Sequence, residues 1–312
     1  PHAGTDWAYM LEEVQECFIN IANAISQREL VLIVAPDTEA VKMQLEGKVK
    51  MENIRFFECE TNDTWARDHG AISLLDAESP LLLDFCFNGW GMKFAANYDN
   101  LITRNLFKAG LFKGRYMNCL DYVLEGGSIE SDGKGTLLTT SECLLSDNRN
   151  DKMNRVEVET YLRSKLHVQR VLWLDYGYLS GDDTDSHVDT LARFCPNDTI
   201  VYVQCCNKED EHYEALRRME DQLLTFRTLD DRPYRLLPLP MADTIMNNDE
   251  RLPATYANFL VINGAVLYPT YNQPGNDMKA ADILTLAFPD REIIGIDCRT
   301  LIKQHGSLHC VT

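Results

Sequence analysis

Nine consecutive residues, Gly181-Asp-Asp-Thr-Asp-Ser-His187-Val-Asp189, contain four carboxylates and one imidazole. They lie between an apolar run, Val171-Leu-Trp-Leu174, and another that starts near Leu191. In an extended chain His187 and Asp189 would point to the same side, because side chains alternate with period two. An imidazole beside a carboxylate can transfer a proton and hold a cation. The same composition also suits a solvated acidic turn, and the segment alone leaves both readings open.

Other polar residues stand at matching places in a repeating pattern. Asp68, Glu125, Asp189 and Asn258 each precede a pair of strand-like runs. They recur at intervals of about 60 residues, within the range of repeat architectures. The paired runs read as hairpins, with turns at Asp132-Gly, Pro196-Asn-Asp and Asn263-Gly. Helical stretches near 99–109, 152–166, 209–226 and 277–287 fill the gaps. Leu11 to Ile25 has the apolar spacing of an amphipathic helix, and Leu30 to Ala35 reads as a buried strand. Val41 to Leu45 reads as a short helix and Ile54 to Phe57 as a strand. Thr64 to Gly70 reads as a polar loop. Counting Gly306 to Cys310 as a fifth loop gives five units of hairpin plus helix. A radial repeat brings such loops to one axis, so residues far apart in the chain meet there. An open α/β sheet explains the alternation of elements but not the recurring polar residue. The expected fold is therefore a closed α/β arrangement in one catalytic domain, residues 1–312.

Composition narrows the function. The chain has 312 residues, 45% of them hydrophobic and 25% charged, which is ordinary for a globular enzyme. No apolar run approaches the roughly 20 residues that span a bilayer. The net charge of −18 argues against nucleic acid and anionic membrane as partners and suits a cationic substrate. The ten cysteines include no Cys-x-x-Cys pair, which argues against a zinc ribbon. Most lie in apolar runs, as buried free thiols do, implying a reducing, cytoplasmic setting. Cys310 differs, because its approach, Gly306-Ser-Leu-His309, is polar and flexible. Self-association is left open.

Five motifs in order, Trp65-Ala-Arg-Asp68, Phe87-Asn-Gly-Trp90-Gly, Leu124-Glu-Gly-Gly127, Gly181 to Phe194 and Gly306 to Cys310, resemble the agmatine deiminase family. That family also takes in the Porphyromonas-type peptidylarginine deiminases. The resemblance covers nearly the whole chain and implies a five-bladed α/β propeller of the guanidine-modifying enzymes. It implies Cys310 as nucleophile, Asp68 and Asp189 as clamps on the guanidinium, and His187 as general acid and base. It also implies Glu125 as the carboxylate that orients this His and Trp65 as an aromatic lying along the substrate. Asp183, where the family often carries Glu, is a candidate for the distal amine of agmatine. Trp90 is a further candidate for substrate contact. Ser186 stands where Gly is usual.

The implied chemistry is coherent on its own terms. A guanidinium is a poor electrophile, and two carboxylates can grip its N–H fork and hold its carbon near sulfur. A free thiol titrates near 8.5, so a protonated His187 or the substrate's own charge must favour thiolate. Attack, loss of ammonia and hydrolysis of the covalent thiouronium would release a carbamoyl product, with no metal or other cofactor. Taken singly, each residue has a plainer reading. An Asp before a strand is usually a cap, His187 a structural hydrogen-bonder and Cys310 a core thiol. Glu125 would shape a turn, and Trp65 and Trp90 would fill a core. Two other functions use overlapping residues. Asp183, Asp185, His187 and Asp189 suit the Mn²⁺ of agmatinase-type ureohydrolases, but the second Asp-x-Asp-x-x-Asp cluster is missing. A peptidylarginine deiminase would keep the chemistry and change the pocket; no secretory signal or appended domain in this sequence favours it.

Overall fold

The computed structural model describes residues 1–75 and 79–312. The apolar spacing near the start forms α1 (Leu11–Ser26), which buries Val14, Cys17, Ile21 and Ile25. Next come β1 (Val31–Ala35), α2 (Thr38–Leu45) and β2 (Ile54–Glu58). Helix α2 starts earlier than expected because Asp37 caps it, accepting from the Ala40 amide. β1 and β2 pair in parallel as a two-stranded sheet. With a neighbour on one side only, β1 is half-buried throughout rather than a core strand.

Four further units share one plan. A hairpin is followed by a helix, and a third strand then pairs in parallel with the hairpin's second strand. The segment expected as a polar loop contains a short helical turn, α3 (Ala66–His69). It leads into the first such unit, β3 (Ile72–Leu74) and β4 (Leu81–Cys86), then the tight turn α4 (Gly89–Met92), α5 (Asp99–Lys108) and β5 (Arg115–Val123). The second has β6 (Ile129–Ser131), β7 (Thr136–Thr140), α6 (Ser141–Leu144), α7 (Arg155–Leu166) and β8 (Arg170–Leu174). The third has β9 (Ala192–Cys195), β10 (Thr199–Gln204), α8 (Tyr213–Leu223) and β11 (Arg235–Pro240). A two-residue-stranded hairpin, β12 (Met246–Asn247) and β13 (Glu250–Arg251), precedes the last. That unit has β14 (Leu260–Ile262), β15 (Ala265–Thr270), α9 (Pro274–Ala287) and β16 (Glu292–Asp297).

Hairpin strands pair antiparallel and third strands parallel in all four units. Among the described residues the sheets remain separate, and the β1–β2 unit has no hairpin. The largest core cluster runs from Trp7 to Val311, and a second, from Leu83 to Trp173, joins the first two three-stranded units. Helix α1 lies against the last strand: the Cys17 thiol donates to the Asp297 carbonyl at 3.3 Å, and Arg28 pairs with Glu292. Among the described residues no helix is long and apolar enough to cross a membrane.

The turns entering the hairpins pack on one another. Helix α3 touches both the turn Gly126–Ser128 and the C-terminal turn His309–Val311, and Gly126–Ser128 touches Val188–Thr190. Polar residues 68, 125, 189 and 310 are thereby drawn into one place.

Candidate active site

Asp68 sits in α3 with its side chain almost wholly buried. Its Oδ1 accepts from the Gly127 amide at 2.9 Å and its Oδ2 from the Trp90 indole at 2.9 Å. Trp90 therefore holds Asp68; it reaches it from the left-handed conformation, at φ 56°. Burial pushes the Asp68 carboxyl up, opposed by the charge of His187 and the Trp90 bond.

His187 precedes the turn Val188–Thr190 and Asp189 lies within it, so the segment is not extended and the period-two alternation does not apply. Both side chains nevertheless face one point. A Cβ added to Gly127 would lie 2.7 Å from His187 Nδ1, 2.8 Å from Asp68 Oδ1 and 3.1 Å from Asp189 Oδ2. His187 Nδ1 is 3.6 Å from Asp68 Oδ1 and Nε2 is 3.9 Å from Glu125 Oε2. Among the described residues neither ring nitrogen has a hydrogen-bond partner, although the residue is only 1% exposed. Burial pulls its pKa down, but Asp68, Cys143 and Glu125 outweigh that and hold it well above the usual imidazole range.

Asp189 is fully buried. Its Oδ2 lies 2.7 Å from His309 Nδ1, while its Oδ1 has no partner among the described residues. Burial raises this carboxyl to about 7, against the pull of His187, Arg193 and Arg67 and with help from Asp68. Orphaned buried polar atoms are uncommon and mark places where a ligand can complete the bonding.

Glu125 precedes the Gly126–Ser128 turn and is also fully buried. Arg149 Nε lies 3.0 and 2.9 Å from its two oxygens. Burial would raise the Glu125 pKa, but His187 and Arg149 win and lower it. The Arg149 Nη1 donates to Asp185 Oδ2 at 2.6 Å and Nη2 to the Thr184 carbonyl at 2.9 Å. One guanidinium thus ties Glu125 to the loop that carries His187.

Cys310 lies in the C-terminal turn His309–Val311 and is 6% exposed. Its thiol is 3.4 Å from Asn258 Oδ1, which also accepts from the His309 and Cys310 amides at 2.8 and 3.3 Å. Burial, Asp189 and Asp68 push the thiol well above its ordinary range. Trp65 is buried over the same loop: a Cβ on Gly306 would come within 2.2 Å of its ring, which also meets Trp7 at 5.6 Å between centroids.

Asp183 lies at the half-buried edge of the group. No hydrogen bond to its carboxylate is found among the described residues, while its carbonyl accepts from Lys93. Burial raises its pKa, with nearby His305 opposing. Lys93 is committed, since it also pairs with Asp185 at 2.9 Å. The following residues Asp185 and Ser186 take positive φ, 63° and 60°, and bend the loop back.

Donor type alone would let Glu125, Cys143 and His187 hold a metal, their ligand atoms lying within 4.8 Å of one another. The Arg149 guanidinium already contacts both Glu125 oxygens, so a cation occupies that role. The four residues weighed for Mn²⁺ do not converge among the described residues, because Asp185 is engaged by Lys93 and Arg149 and Asp189 by His309.

Sequence reading had left four neighbours of the site without a role: Arg149, Cys143, Lys93 and His309. His309 adjoins Cys310, the one signal available for it. Asn258 stood at the recurring position before a hairpin, but its contact with Cys310 spans 52 residues.

With this geometry in hand, the chain can be set beside known proteins. Residues 1–312 match the family described as Porphyromonas-type peptidyl-arginine deiminase. The chain belongs to that family. It is accordingly a hydrolase of guanidino C–N bonds. A Porphyromonas gingivalis structure named "Putative Arginine Deiminase" is 54% identical, with TM-score 0.95, and the match covers 100% of this chain and 92% of that one. A substrate-bound agmatine deiminase of C. jejuni is 38% identical, with TM-score 0.91, covering 100% and 90%. A Legionella pneumophila protein named "Putative agmatine deiminase" is 33% identical over 97% of this chain and 86% of its own length. The α/β fold is thus shared along the whole chain with deiminases.

Proposed function

We propose that this member of the family is an agmatine deiminase, releasing ammonia and N-carbamoylputrescine through a thiouronium on Cys310. The observation that carries the reading is the pairing of two buried carboxylates, Asp68 and Asp189, beside His187, with Asp189 Oδ1 unpartnered among the described residues. A planar cation with several N–H donors would complete that bonding.

In this reading the guanidinium enters between Asp68 and Asp189 and partly cancels their charge. Those charges are among the causes that raise the Cys310 thiol, so substrate binding itself favours the thiolate. Sulfur adds to the guanidinium carbon; His187 gives its proton to the departing nitrogen, and the C–N bond breaks to release ammonia. The same imidazole then takes a proton from water as oxygen adds to the carbon, and the C–S bond breaks to free Cys310. Glu125 orients His187, and Arg149 anchors Glu125. Trp90 acts through Asp68, and Trp65 walls the Cys310 loop. Neither step calls on a metal or other cofactor.

Asp183 is proposed for the distal ammonium. The cations around it support this: Lys93 and Arg149 are each already paired, so neither is free for an α-carboxylate. A second reading, with the same chemistry and a different substrate, is peptidyl arginine; the family description and a 48%-identical structure named "putative peptidyl-arginine deiminase" favour it. The fold proposal is a five-bladed ring in one catalytic domain, with the β1–β2 unit as the incomplete blade. The contact of α1 with β16, first unit against last, supports closure. Ten unpaired cysteines support a reducing, cytoplasmic setting.

Replacement of Cys310 tests the nucleophile. Cys310→Ala is expected to bind agmatine calorimetrically with no steady-state ammonia release. Turnover in the variant above about a thousandth of wild type would remove Cys310 from that role.

A further inference from the structure

We propose that His309 is a positioning residue: Arg193 fixes its ring with the proton on Nδ1, and that N–H holds one Asp189 oxygen so that the other faces the guanidinium. The proposal rests on the reading of Asp189 as a guanidinium clamp.

The tautomer follows from the chemistry of the neighbours. His309 Nε2 lies 3.3 Å from Arg193 Nη2. A guanidinium only donates, so Nε2 must accept. The ring proton is then on Nδ1, 2.7 Å from Asp189 Oδ2, where it donates to the carboxylate. Burial, with Arg193, Arg67 and His187 adding to it, holds the His309 pKa well below the usual range and keeps the ring neutral.

Arg193 is able to dictate this because it is itself immobilised. Its Nε donates to Glu130 at 2.8 Å, and its Nη1 to the carbonyls of Ala257 and Phe259 at 3.2 and 2.8 Å. Its guanidinium also lies 4.6 Å from the Phe259 ring centroid. The backbone of His309 is held at the other end by Asn258, the residue that contacts the Cys310 thiol. One rigid chain, Glu130 to Arg193 to His309 to Asp189, therefore sets the direction of the unpartnered Oδ1. Groups that orient a ligating side chain in this way are as sensitive to replacement as the ligands they support.

Two measurements test it. In ¹⁵N-histidine-labelled protein without substrate, the His309 resonances, assigned by their loss in His309→Asn, should show a neutral ring with protonated Nδ1 and bare Nε2. A proton on Nε2, or on both nitrogens, overturns the proposal. This reading uses no substrate, so it stands or falls apart from the agmatine assignment. In kinetics, His309→Ala should lower kcat/KM for agmatine about 10- to 100-fold, mostly through KM, since a donor to a charged group is lost. His309→Asn can place an amide N–H where Nδ1–H was and should recover to within a few-fold of wild type. His309→Ala kinetics within twofold of wild type, or a His309→Asn variant that melts like wild type yet is as slow as His309→Ala, overturns it. Failure of the wild type itself to turn over agmatine would instead strike the proposed substrate.

Discussion

Gly127 and His187 share a space that only a glycine leaves open. A Cβ on Gly127 would stand 2.7 Å from His187 Nδ1 and 2.8 Å from Asp68 Oδ1, closer than real Cβ contacts come. The Gly127 amide meanwhile donates to Asp68 at 2.9 Å, so the missing side chain and the backbone donor serve one geometry. Gly127→Ala must push His187 or Asp68 aside. Displacements of about 1 Å cost on the order of 100-fold in rate. The variant is expected to fold, with about 1–3 kcal/mol lost to overpacking, and to show kcat reduced about 100-fold. Stopped-time ammonia assays and a melting curve check this; near-wild-type kcat would mean that the two side chains are not held where catalysis needs them.

Asp189 should make the fold less stable as pH rises. Burial lifts its carboxyl from an ordinary 3.8 to about 7, so the folded protein holds this proton more tightly than the unfolded chain does. Stability therefore falls between pH 3.8 and about 7 and stays reduced above. Asp189→Asn removes the titration and is expected to be more stable than wild type by about 2–4 kcal/mol at pH 8. The difference should vanish near pH 4, while activity is lost at every pH. Paired denaturant melts at the two pH values read this directly. A variant less stable than wild type at pH 8 would show that the ionised carboxylate is well accommodated.

The Asp183 carboxylate offers the plainest test of the distal contact. Asp183→Asn should raise KM for agmatine more than it lowers kcat, because an ammonium contact is made in both ground and transition states. Partial exposure weakens such a contact, so about 1–2 kcal/mol, or roughly 5- to 30-fold in KM, is expected. Unchanged agmatine kinetics would take Asp183 out of the site.

Hairpins and helices were legible in the sequence because their signals are local. Alternating apolar runs around Asn263-Gly264 became β14 and β15, and helical spacing over Leu11 to Ile25 became α1. Third strands were harder to see. β5 reads Arg-Tyr-Met-Asn-Cys-Leu-Asp-Tyr-Val, without a clean alternation, and β11 carries Pro238 and Pro240, which argue against a strand. Both sit at sheet edges with one partner each, where proline is tolerated and one side is wet. The candidate site residues were read from their motifs, and the turns bring Asp68, Glu125, His187 and Asp189 together near Gly127. Their supports were not legible, because Arg149 reaches Glu125 and Asp185 across 24 and 36 residues with no local pattern to announce it. The alternation that an extended segment would give His187 and Asp189 does not apply, because a tight turn containing Asp189 follows His187 and presents both.

Substrate choice is the central claim, and it is measured by kcat/KM for agmatine, free arginine and a peptidyl arginine, with products identified by mass spectrometry. Agmatine carries no carboxylate and ends in an ammonium that Asp183 can meet. The account predicts ammonia and N-carbamoylputrescine from agmatine, unaffected by prior dialysis against a chelator, with kcat/KM at least about tenfold above either arginine substrate, the worth of one charged contact. Equal or higher kcat/KM on peptidyl arginine, or urea in place of ammonia, would contradict it.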